Sequence, residues 1–293
     1  MLLTILMLIT GALGLRLGYA LAQQGLTAEN AIQHYQRQVY IIASVALGVG
    51  TFLGVLLTAG RHSPWLPSFL LLYAGAYFWQ VILLLCCFCT SLLIALEYPG
   101  WRDRSRLRQL ILFLAISLSA MVVLVYQNLP VTHLVRSPRL SNDIVLQTTP
   151  YSCSAATIAT LSRIVYPSAQ TTERDVVELA GTSRQGTSTM AELQAMEALG
   201  LAPRYERGLT LEDLIDRQQL AVLHVIEPVV GARIQHAIAL LAIDVDYQVV
   251  IVGNPLYGLQ VKTFEELTDG YWIRAAVFVT VSSLEAWPSG GTL

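Results

Sequence analysis

The sequence is poor in charge, and the charges that it has are unevenly placed. Only ten of its 38 charged residues (18 Lys and Arg, 20 Asp and Glu) lie within residues 1–126. The mean hydropathy of +0.55 excludes an ordinary soluble protein. The net charge is -2 and no long basic block is present, so no electrostatic footprint for a nucleic-acid backbone exists. We therefore expect an apolar half in a lipid bilayer, a globular half, and no nucleic-acid partner.

Cysteine is also scarce, which excludes a disulfide framework in the globular half. Cys86, Cys87 and Cys89 lie in one apolar run, and only Cys153 falls after residue 126. The three clustered thiols suggest a metal site, but no His or carboxylate lies near them, which favours apolar helix packing. We predict no metal and no cofactor.

Three long segments without charge predict membrane-spanning helices, namely 39–59, 66–96 and 110–126. Each approaches or exceeds the ~20 apolar residues that cross a bilayer. Residues 1–22 predict a fourth helix, in which Arg16 could extend to the interface. The alternative for 1–22 is a cleaved signal peptide, because Ala20-Leu21-Ala22 resembles a cleavage site. The absence of Lys or Arg before Arg16 favours the uncleaved helix.

The loop 97–109 determines the predicted orientation. It contains four Arg and no folded insert, so the positive-inside rule assigns it to the cytoplasm. The alternative is a solvated connector whose charge carries no orientation signal. We predict a multi-pass protein of bacterial inner-membrane type, with its C-terminal domain outside the cytoplasm. Residues 1–126 form the membrane region, 127–141 a linker, 142–283 the domain and 284–293 a tail.

The C-terminal half alternates helical and strand patterns, which predicts an α+β domain. Helices are expected at 152–165 with Ser152 as N-cap, at 172–180, at 189–200 with a Thr189–Glu192 capping box, and at 211–218. Runs rich in β-branched residues predict strands at 220–226, 237–243, 247–252 and 275–281.

A candidate nucleophile and base stand at the ends of two of these elements. Cys153 begins the first predicted helix, where free N–H groups and the helix dipole favour a thiolate. His236 opens a predicted strand. If the following hairpin is centred on Val245, His236 stands directly opposite Asn254, whose side-chain oxygen could hold the imidazole. Asp244 or Asp246 is the alternative orienting residue.

Gln147 completes the candidate constellation from just upstream of the helix. Its carboxamide could donate a hydrogen bond to a carbonyl oxygen that becomes negative under attack, with the backbone N–H of Cys153 as the second donor. Together these residues predict an acyl-transfer site. The non-catalytic alternative is that Cys153 is a small buried apolar residue and that His224 is an ordinary strand residue.

The ordered motifs resemble one known family across about residues 142–283. They are Gln147-Thr-Thr-Pro-Tyr-Ser-Cys153, Gly186-Thr-Ser, Leu199-Gly200-Leu201, His236 before an apolar strand, and Asn254-Pro255 with Gly258 and Phe264. This set resembles the bacteriocin-type double-glycine leader peptidases, papain-like cysteine peptidases known as N-terminal domains of peptide-exporting ABC transporters. The resemblance implies a helical membrane region joined to an α+β papain-like peptidase domain.

The same resemblance implies the role of each site residue. Cys153 would be the nucleophile, His236 the base, Asn254 the orienting residue and Gln147 the oxyanion donor. The expected function is a membrane-anchored cysteine peptidase that cleaves a peptide or protein substrate, with a leader peptide cut after small residues as one form. Its expected partners are that substrate, the lipid bilayer and a peptide-export or other membrane complex.

Three departures from the family pattern support alternatives. Asn254 stands where the family usually has Asp, Ser154 replaces the usual Gly, and the domain follows the membrane helices with no P-loop in the chain. The first alternative is a non-catalytic module that docks leader peptides for a transport partner. The second is a structural subunit of a membrane complex that keeps the fold without the activity.

Overall fold

The computed structural model describes residues 2–27, 30, 36–58, 66–98 and 104–280. The chain divides into two compact units, with Leu129 ending the first and Pro130 opening the second, to which the segment Pro67–Leu72 is also assigned. The first unit is helical, and the second combines helices and strands. The predicted tail, 284–293, lies outside the described residues.

Long apolar helices occupy the four predicted membrane segments. They are α1 (Leu2–Gln23), α2 (Gln36–Thr58), α3 (Ser68–Glu97) and α4 (Arg104–Asn128). Among the described residues, three stretches are long and apolar enough to cross a membrane: Leu3–Gln23, Ser68–Glu97 and Leu110–Asn128. Helix α2 contributes a shorter apolar stretch, Leu47–Leu56.

The connection between α3 and α4 is shorter than the predicted loop 97–109. Helix α3 continues to Glu97 and α4 already begins at Arg104. Arg and Leu are good helix formers, so the basic run continues the helix beyond its apolar part. Residues 99–103, including Arg102, lie outside the described part of the chain.

Glycines allow α1 and α3 to approach closely. A Cβ atom on Gly14 would lie 2.4 Å from the carbonyl oxygen of Phe88, and one on Gly18 would lie 2.4 Å from that of Leu92. Such small-residue contacts are how helices pack in a bilayer. The thiol of Cys87 donates to the carbonyl oxygen of Met7 at 3.3 Å, which agrees with the helix-packing interpretation of this cysteine.

Most of the predicted linker 127–141 is structured. Residues 127 and 128 end α4, the globular unit begins at Pro130, and Val131 is already fully buried in its core. The backbone N–H of Val131 donates to the carbonyl oxygen of Thr182 at 3.0 Å. A short hairpin of β1 (Arg139–Ser141) and β2 (Ile144–Leu146) follows. This segment has no periodic pattern, so only its tertiary burial distinguishes it from a linker.

A six-stranded antiparallel sheet forms the centre of the second unit. Its spatial order is β3-β8-β4-β5-β6-β7. The strands are β3 (Pro203–Arg207), β4 (Ala221–Val229), β5 (Ala232–Asp244), β6 (Val249–Asn254), β7 (Gly258–Thr263) and β8 (Trp272–Val279). The edge strands β3 and β7 were not predicted, because polar residues (Arg204, Glu206 and Arg207 in β3, Gln260 and Lys262 in β7) interrupt their apolar pattern.

Among its described residues the second unit also contains five α-helices, of which α5 packs on the sheet and α6 packs on α5. They are α5 (Cys153–Val165), α6 (Glu173–Ala180), α7 (Thr189–Ala198), α8 (Leu211–Arg217) and α9 (Phe264–Thr268). Helix α5 is buried along almost its whole length, and its Ile158 and Leu161 join one core cluster with Val222 of the sheet. Burying each such side chain stabilises the fold by about 1.5–3 kcal/mol. A second cluster around Leu223 and Phe278 includes residues of α8 and α9.

The start of α7 corrects the predicted capping box. Ser188, not Thr189, is the N-cap, and its side chain accepts the N–H of Ala191. Because the helix begins one position earlier than predicted, Glu192 falls outside the capping position. It is buried instead, and its carboxylate lies 2.8 Å from Nε2 of His224 on β4.

Candidate active site

The candidate nucleophile Cys153 is the first residue of α5. Its N-cap, Ser152, makes no side-chain cap hydrogen bond, and its hydroxyl donates to the carboxylate of Glu173. The first N–H groups of the helix are therefore left without a side-chain partner from the N-cap.

Glu173 holds the loop that leads to Cys153. Its buried carboxylate accepts hydrogen bonds from the backbone N–H of Thr148 at 2.9 Å, the hydroxyl of Thr148 at 2.8 Å and the hydroxyl of Ser152. The backbone N–H of Gln147 donates to the carbonyl oxygen of Pro255 at 2.9 Å. These contacts bring the Gln147–Cys153 loop and the end of β6 together.

The side chain of Gln147 is engaged within its own loop. Its Nε2 donates to the carbonyl oxygen of Thr149 at 2.9 Å, and its Oε1 is buried with no partner among the described residues. No hydrogen bond joins Gln147 to Cys153 in the part of the chain that the structure describes. An amide nitrogen carries two hydrogens, so one remains for the predicted oxyanion role.

His236 and Asn254 are joined by a hydrogen bond, although the predicted register was wrong. Pairing between β5 and β6 puts Ala239 opposite Gly253, with a bulge between Leu240 and Ala242. Continuing that register would set Ile238, not His236, opposite Asn254. Diagonal neighbours on one sheet face are still within reach of long side chains. Nε2 of His236 lies 3.0 Å from Oδ1 of Asn254.

The turn explains the shifted register. The predicted hairpin was centred on Val245. In the structure Asp244 pairs with Val249, which leaves four residues in the turn. Asp244 accepts the N–H of Tyr247 in that turn, and so does not orient the histidine. The longer turn and the bulge together move β6 relative to β5.

The partners of Asn254 define the protonation of the imidazole. The backbone N–H of Leu256 donates to Oδ1 of Asn254 at 3.0 Å. A backbone N–H can only donate, so this end of the amide is its oxygen. His236 must then donate through Nε2, which leaves Nδ1 with a free lone pair in the neutral ring.

Cys153 reaches the sheet at the residue after His236. The hydroxyl of Thr157, one turn further along α5, donates to the carbonyl oxygen of Ala237 at 3.0 Å. The backbone of Ala237 acts to lower the pKa of the Cys153 thiol. Among the described residues no hydrogen bond joins Cys153 directly to His236. Cys153 and His236 therefore both lie near the start of β5, but their side chains are not hydrogen-bonded to each other in the described structure.

Burial reverses the expected charge state of the pair. Desolvation raises the pKa of the Cys153 thiol, outweighing hydrogen bonds from Ala237 and Ser154 that lower it, while the charge of Glu192 raises it further. Burial also lowers the pKa of His236, against the opposing effects of Asn254 and Glu227. The expected thiolate is thus not the favoured form, and the two groups are neutral near pH 7.

Sequence reasoning missed two carboxylates near the candidate residues. Glu227 accepts from Nδ2 of Asn254 at 3.1 Å, and Glu192 pairs with His224. The available signal for Glu227 was a charged residue inside an apolar strand run. The signal for Glu192 was obscured by its fit to a capping box.

No family model and no curated protein matches this chain. Solved structures similar to it include the peptidase domain of Streptococcus ComA, described as a bifunctional ABC transporter involved in a quorum-sensing pathway. The identity is 24%, the match covers 45% of this chain and 93% of that one, and the TM-score is 0.40.

Two further solved structures are of the same kind. The peptidase domain of Streptococcus mutans ComA is 25% identical, with 46% of this chain and 97% of that chain covered and a TM-score of 0.36. A double-glycine-motif protease from an AMS/PCAT transporter, in complex with the leader peptide, is 18% identical, with 49% and 91% covered and a TM-score of 0.38. The chain is thus similar to these peptidase domains over slightly less than half of its length.

Proposed function

We propose that the C-terminal unit is a cysteine peptidase that cleaves a peptide bond in a peptide or protein substrate. The observation that carries this proposal is the hydrogen bond from His236 to Asn254, which leaves Nδ1 of the imidazole as a proton acceptor beside the helix that begins with Cys153. A buried thiol and a buried neutral imidazole at one place suit general-base activation of a nucleophile.

The proposed reaction starts from the neutral pair. Binding of substrate brings the Cys153 thiol within hydrogen-bond reach of His236, as often happens only in the substrate complex. Nδ1 takes the proton as sulfur attacks the carbonyl carbon, and the imidazolium returns it to the leaving amine. Water, deprotonated by the same imidazole, then hydrolyses the thioester and frees the carboxylate product and the thiol.

Charge on the attacked oxygen requires two donors. The backbone N–H of Cys153 lies in the first turn of α5, where no intrahelical acceptor exists for it. Nε2 of Gln147 has a second hydrogen besides the one given to Thr149. These two groups would stabilise the tetrahedral intermediate as an oxyanion hole.

The helical unit would anchor the peptidase in a bilayer as a multi-pass protein. Long apolar helices support this assignment. The Arg-rich segment 97–109, which includes the start of α4, favours a cytoplasmic position for that end of α3 and α4 and an extracytoplasmic position for the peptidase unit. Reporter fusions at the C-terminus, alkaline phosphatase against green fluorescent protein, test this: activity of the phosphatase alone supports it, and fluorescence alone contradicts it.

A leader peptide cut after small residues, such as a Gly pair, is the proposed substrate form. A peptide aldehyde ending in Gly-Gly forms a reversible thiohemiacetal with an active thiol, so it should protect Cys153 from iodoacetamide in the full-length chain in detergent. Mass spectrometry resolves Cys153 from Cys86, Cys87 and Cys89. A Leu-Leu aldehyde is the matched control for the substrate form.

The expected result is protection of Cys153 that is lost in His236→Ala and is stronger with Gly-Gly than with Leu-Leu. Equal protection by both aldehydes would reject the small-residue substrate and keep the peptidase. No protection by either aldehyde, with alkylation independent of His236, would reject the peptidase itself.

A peptide-docking module is the second candidate function. The raised pKa of the buried Cys153, and the engagement of Gln147 with Thr149, favour it. A Cys153→Ala chain that binds a leader peptide and fully supports its export would identify docking as the function. Loss of export in Cys153→Ala, with binding retained, would identify catalysis. A chain with neither binding nor reactivity would be the structural subunit.

A further inference from the structure

A chain of buried hydrogen bonds continues beyond His236 and Asn254. Nδ2 of Asn254 donates to Oε2 of Glu227 at 3.1 Å and to Oε1 of Gln260 at 3.2 Å. The hydroxyl of Tyr271 donates to the same Oε2 of Glu227 at 2.5 Å. Asn254 is fully buried and Glu227 is only 4% exposed. The site thus contains a buried carboxylate that is linked to the His236 imidazole through the side chain of Asn254.

The carboxylate determines which way the Asn254 amide faces. An amide has an accepting end and a donating end, and a reversed amide would give His236 a nitrogen instead of an oxygen. A carboxylate can only accept, so Glu227 requires Nδ2 on its side. The Leu256 N–H requires Oδ1 on the other side. Reversing the amide would set two oxygens against each other in a buried place, where an unpaired polar group is costly.

The orientation is transmitted to the imidazole. With Oδ1 of Asn254 facing it, Nε2 of His236 must carry the hydrogen, and Nδ1 is left as the base. Glu227 also adds negative charge that opposes the desolvation of the imidazolium, and so acts to raise the pKa of His236.

We propose that Glu227 is the positioning residue of this site, holding the Asn254 amide so that His236 keeps its Nε2–H tautomer and presents Nδ1 as the base. This inference rests on the proposed function for its catalytic meaning, but its geometry can be tested without a substrate. Among the described residues, the titratable or charged groups around Glu227 include Tyr271, which donates to it, and His236, which contacts it through Asn254. Nζ of Lys262 lies over the Tyr271 ring, 4.4 Å from its centre.

The first test reads the imidazole of His236 directly in the full-length chain. Long-range proton–nitrogen NMR of labelled histidine distinguishes the two tautomers, and His236→Gln identifies its signal among the 5 histidines. We expect the Nε2–H tautomer in the unchanged chain. In Glu227→Gln we expect a mixture of tautomers and a lower His236 pKa. Glu265→Gln, the same change at an exposed position on α9, should leave both unchanged.

Two results would overturn the inference. One is an Nδ1–H tautomer in the unchanged chain. The other is a Glu227→Gln chain with the same single tautomer and the same His236 pKa as the unchanged chain. A purely structural role of Glu227 would lower the unfolding temperature without moving either spectroscopic value.

A double-variant comparison tests the coupling between Glu227 and Asn254. Asn254→Asp would set two carboxylates in contact, and both cannot ionise there, so at least one folded-state pKa is raised. A raised carboxylate pKa in the folded state means stability that is lost as pH rises. We therefore expect the unfolding temperature of the Asn254→Asp chain to fall as the pH rises from 5 to 8. In the double variant Asn254→Asp with Glu227→Gln we expect this fall to disappear.

Failure of the proposed function is distinguishable from failure of this inference. Aldehyde protection of Cys153 that depends on His236 but is within about threefold of normal in Glu227→Gln contradicts the inference alone; we expect a loss of about tenfold, the equivalent of one pKa unit. No protection in any chain rejects the peptidase. In that case the NMR tautomer of His236 and the unfolding temperature of the double variant still test the role of Glu227.

Discussion

The side chains of Glu192 and His224 are joined by a hydrogen bond between α7 and β4, with Oε2 and Nε2 2.8 Å apart. The carboxylate is almost fully buried. His224 stands opposite Ala237 in the sheet, and Ala237 is the residue whose backbone lowers the pKa of the Cys153 thiol. The pair therefore belongs to the electrostatic surroundings of Cys153, although it is separate from the Glu227–Asn254–His236 chain.

The charge of Glu192 predicts a change in thiol reactivity. It raises the pKa of Cys153, so Glu192→Gln should lower that pKa and shift the pH profile of Cys153 alkylation to lower pH. At neutral pH the alkylation rate should rise, offset in part because a less basic thiolate is a weaker nucleophile. Glu197→Gln, on the same helix and exposed, is the control. An unchanged or slower rate would contradict the electrostatic assignment.

Ser154 predicts the opposite change. Its hydroxyl is buried, and its hydrogen bond lowers the pKa of Cys153. Ser154→Ala should therefore raise that pKa and slow alkylation at neutral pH by a few-fold to about tenfold, since one side-chain hydrogen bond contributes about 0.5–1.5 kcal/mol net of water. Thr160→Ser, which keeps a buried hydroxyl on the same helix, controls for packing. Faster alkylation in Ser154→Ala would reject this role.

Glu173 predicts a stability effect at the loop before Cys153. Glu173→Ala would leave the donors of Thr148 and Ser152 without their acceptor, at a cost of about 3 kcal/mol or more for these buried groups. Pulsed alkylation of Cys153 at increasing urea reports this locally, because the buried thiol reacts only when the region opens. Glu178→Ala, exposed on the same helix, should leave the urea midpoint unchanged. Equal midpoints for both variants would contradict the prediction.

The glycines of α1 predict a packing effect in the helical unit. A Cβ on Gly14 or Gly18 would clash with backbone oxygens of α3, so Gly18→Ala should destabilise the unit by about 1–3 kcal/mol. Gly48 has open space around its Cβ position, and Gly48→Ala should be neutral or stabilise α2 by up to about 1 kcal/mol. Thermal aggregation of the chain in detergent measures both. A Gly18→Ala chain as stable as Gly48→Ala would reject the close helix contact.

Much of the architecture was predictable because it depends on local pattern. Apolar runs without charge indicated the long helices, and the helical spacing after Ser152 predicted α5. The strands β4, β5, β6 and β8 overlap the predicted β-branched runs. The segment 130–141 and the strands β3 and β7 were missed, because neither burial by distant residues nor pairing at a sheet edge leaves a local signal.

The candidate site was predictable in its residue types and not in its geometry. The motif order alone placed Cys153, His236, Asn254 and Gln147 in one hypothesis, and their catalytic roles remain predictions. Their contacts depend on a bulge at Leu240 and a four-residue turn, which no propensity in this stretch specified.

The sequence by itself determined the division into an apolar and a globular half and the helix that begins at Cys153, because hydropathy and helix periodicity are properties of neighbouring residues. Only the tertiary structure decided that Glu227 stands behind Asn254 and that burial keeps Cys153 and His236 neutral. Desolvation and buried hydrogen bonds depend on residues that are distant in the chain, and these residues come into contact only in the folded domain.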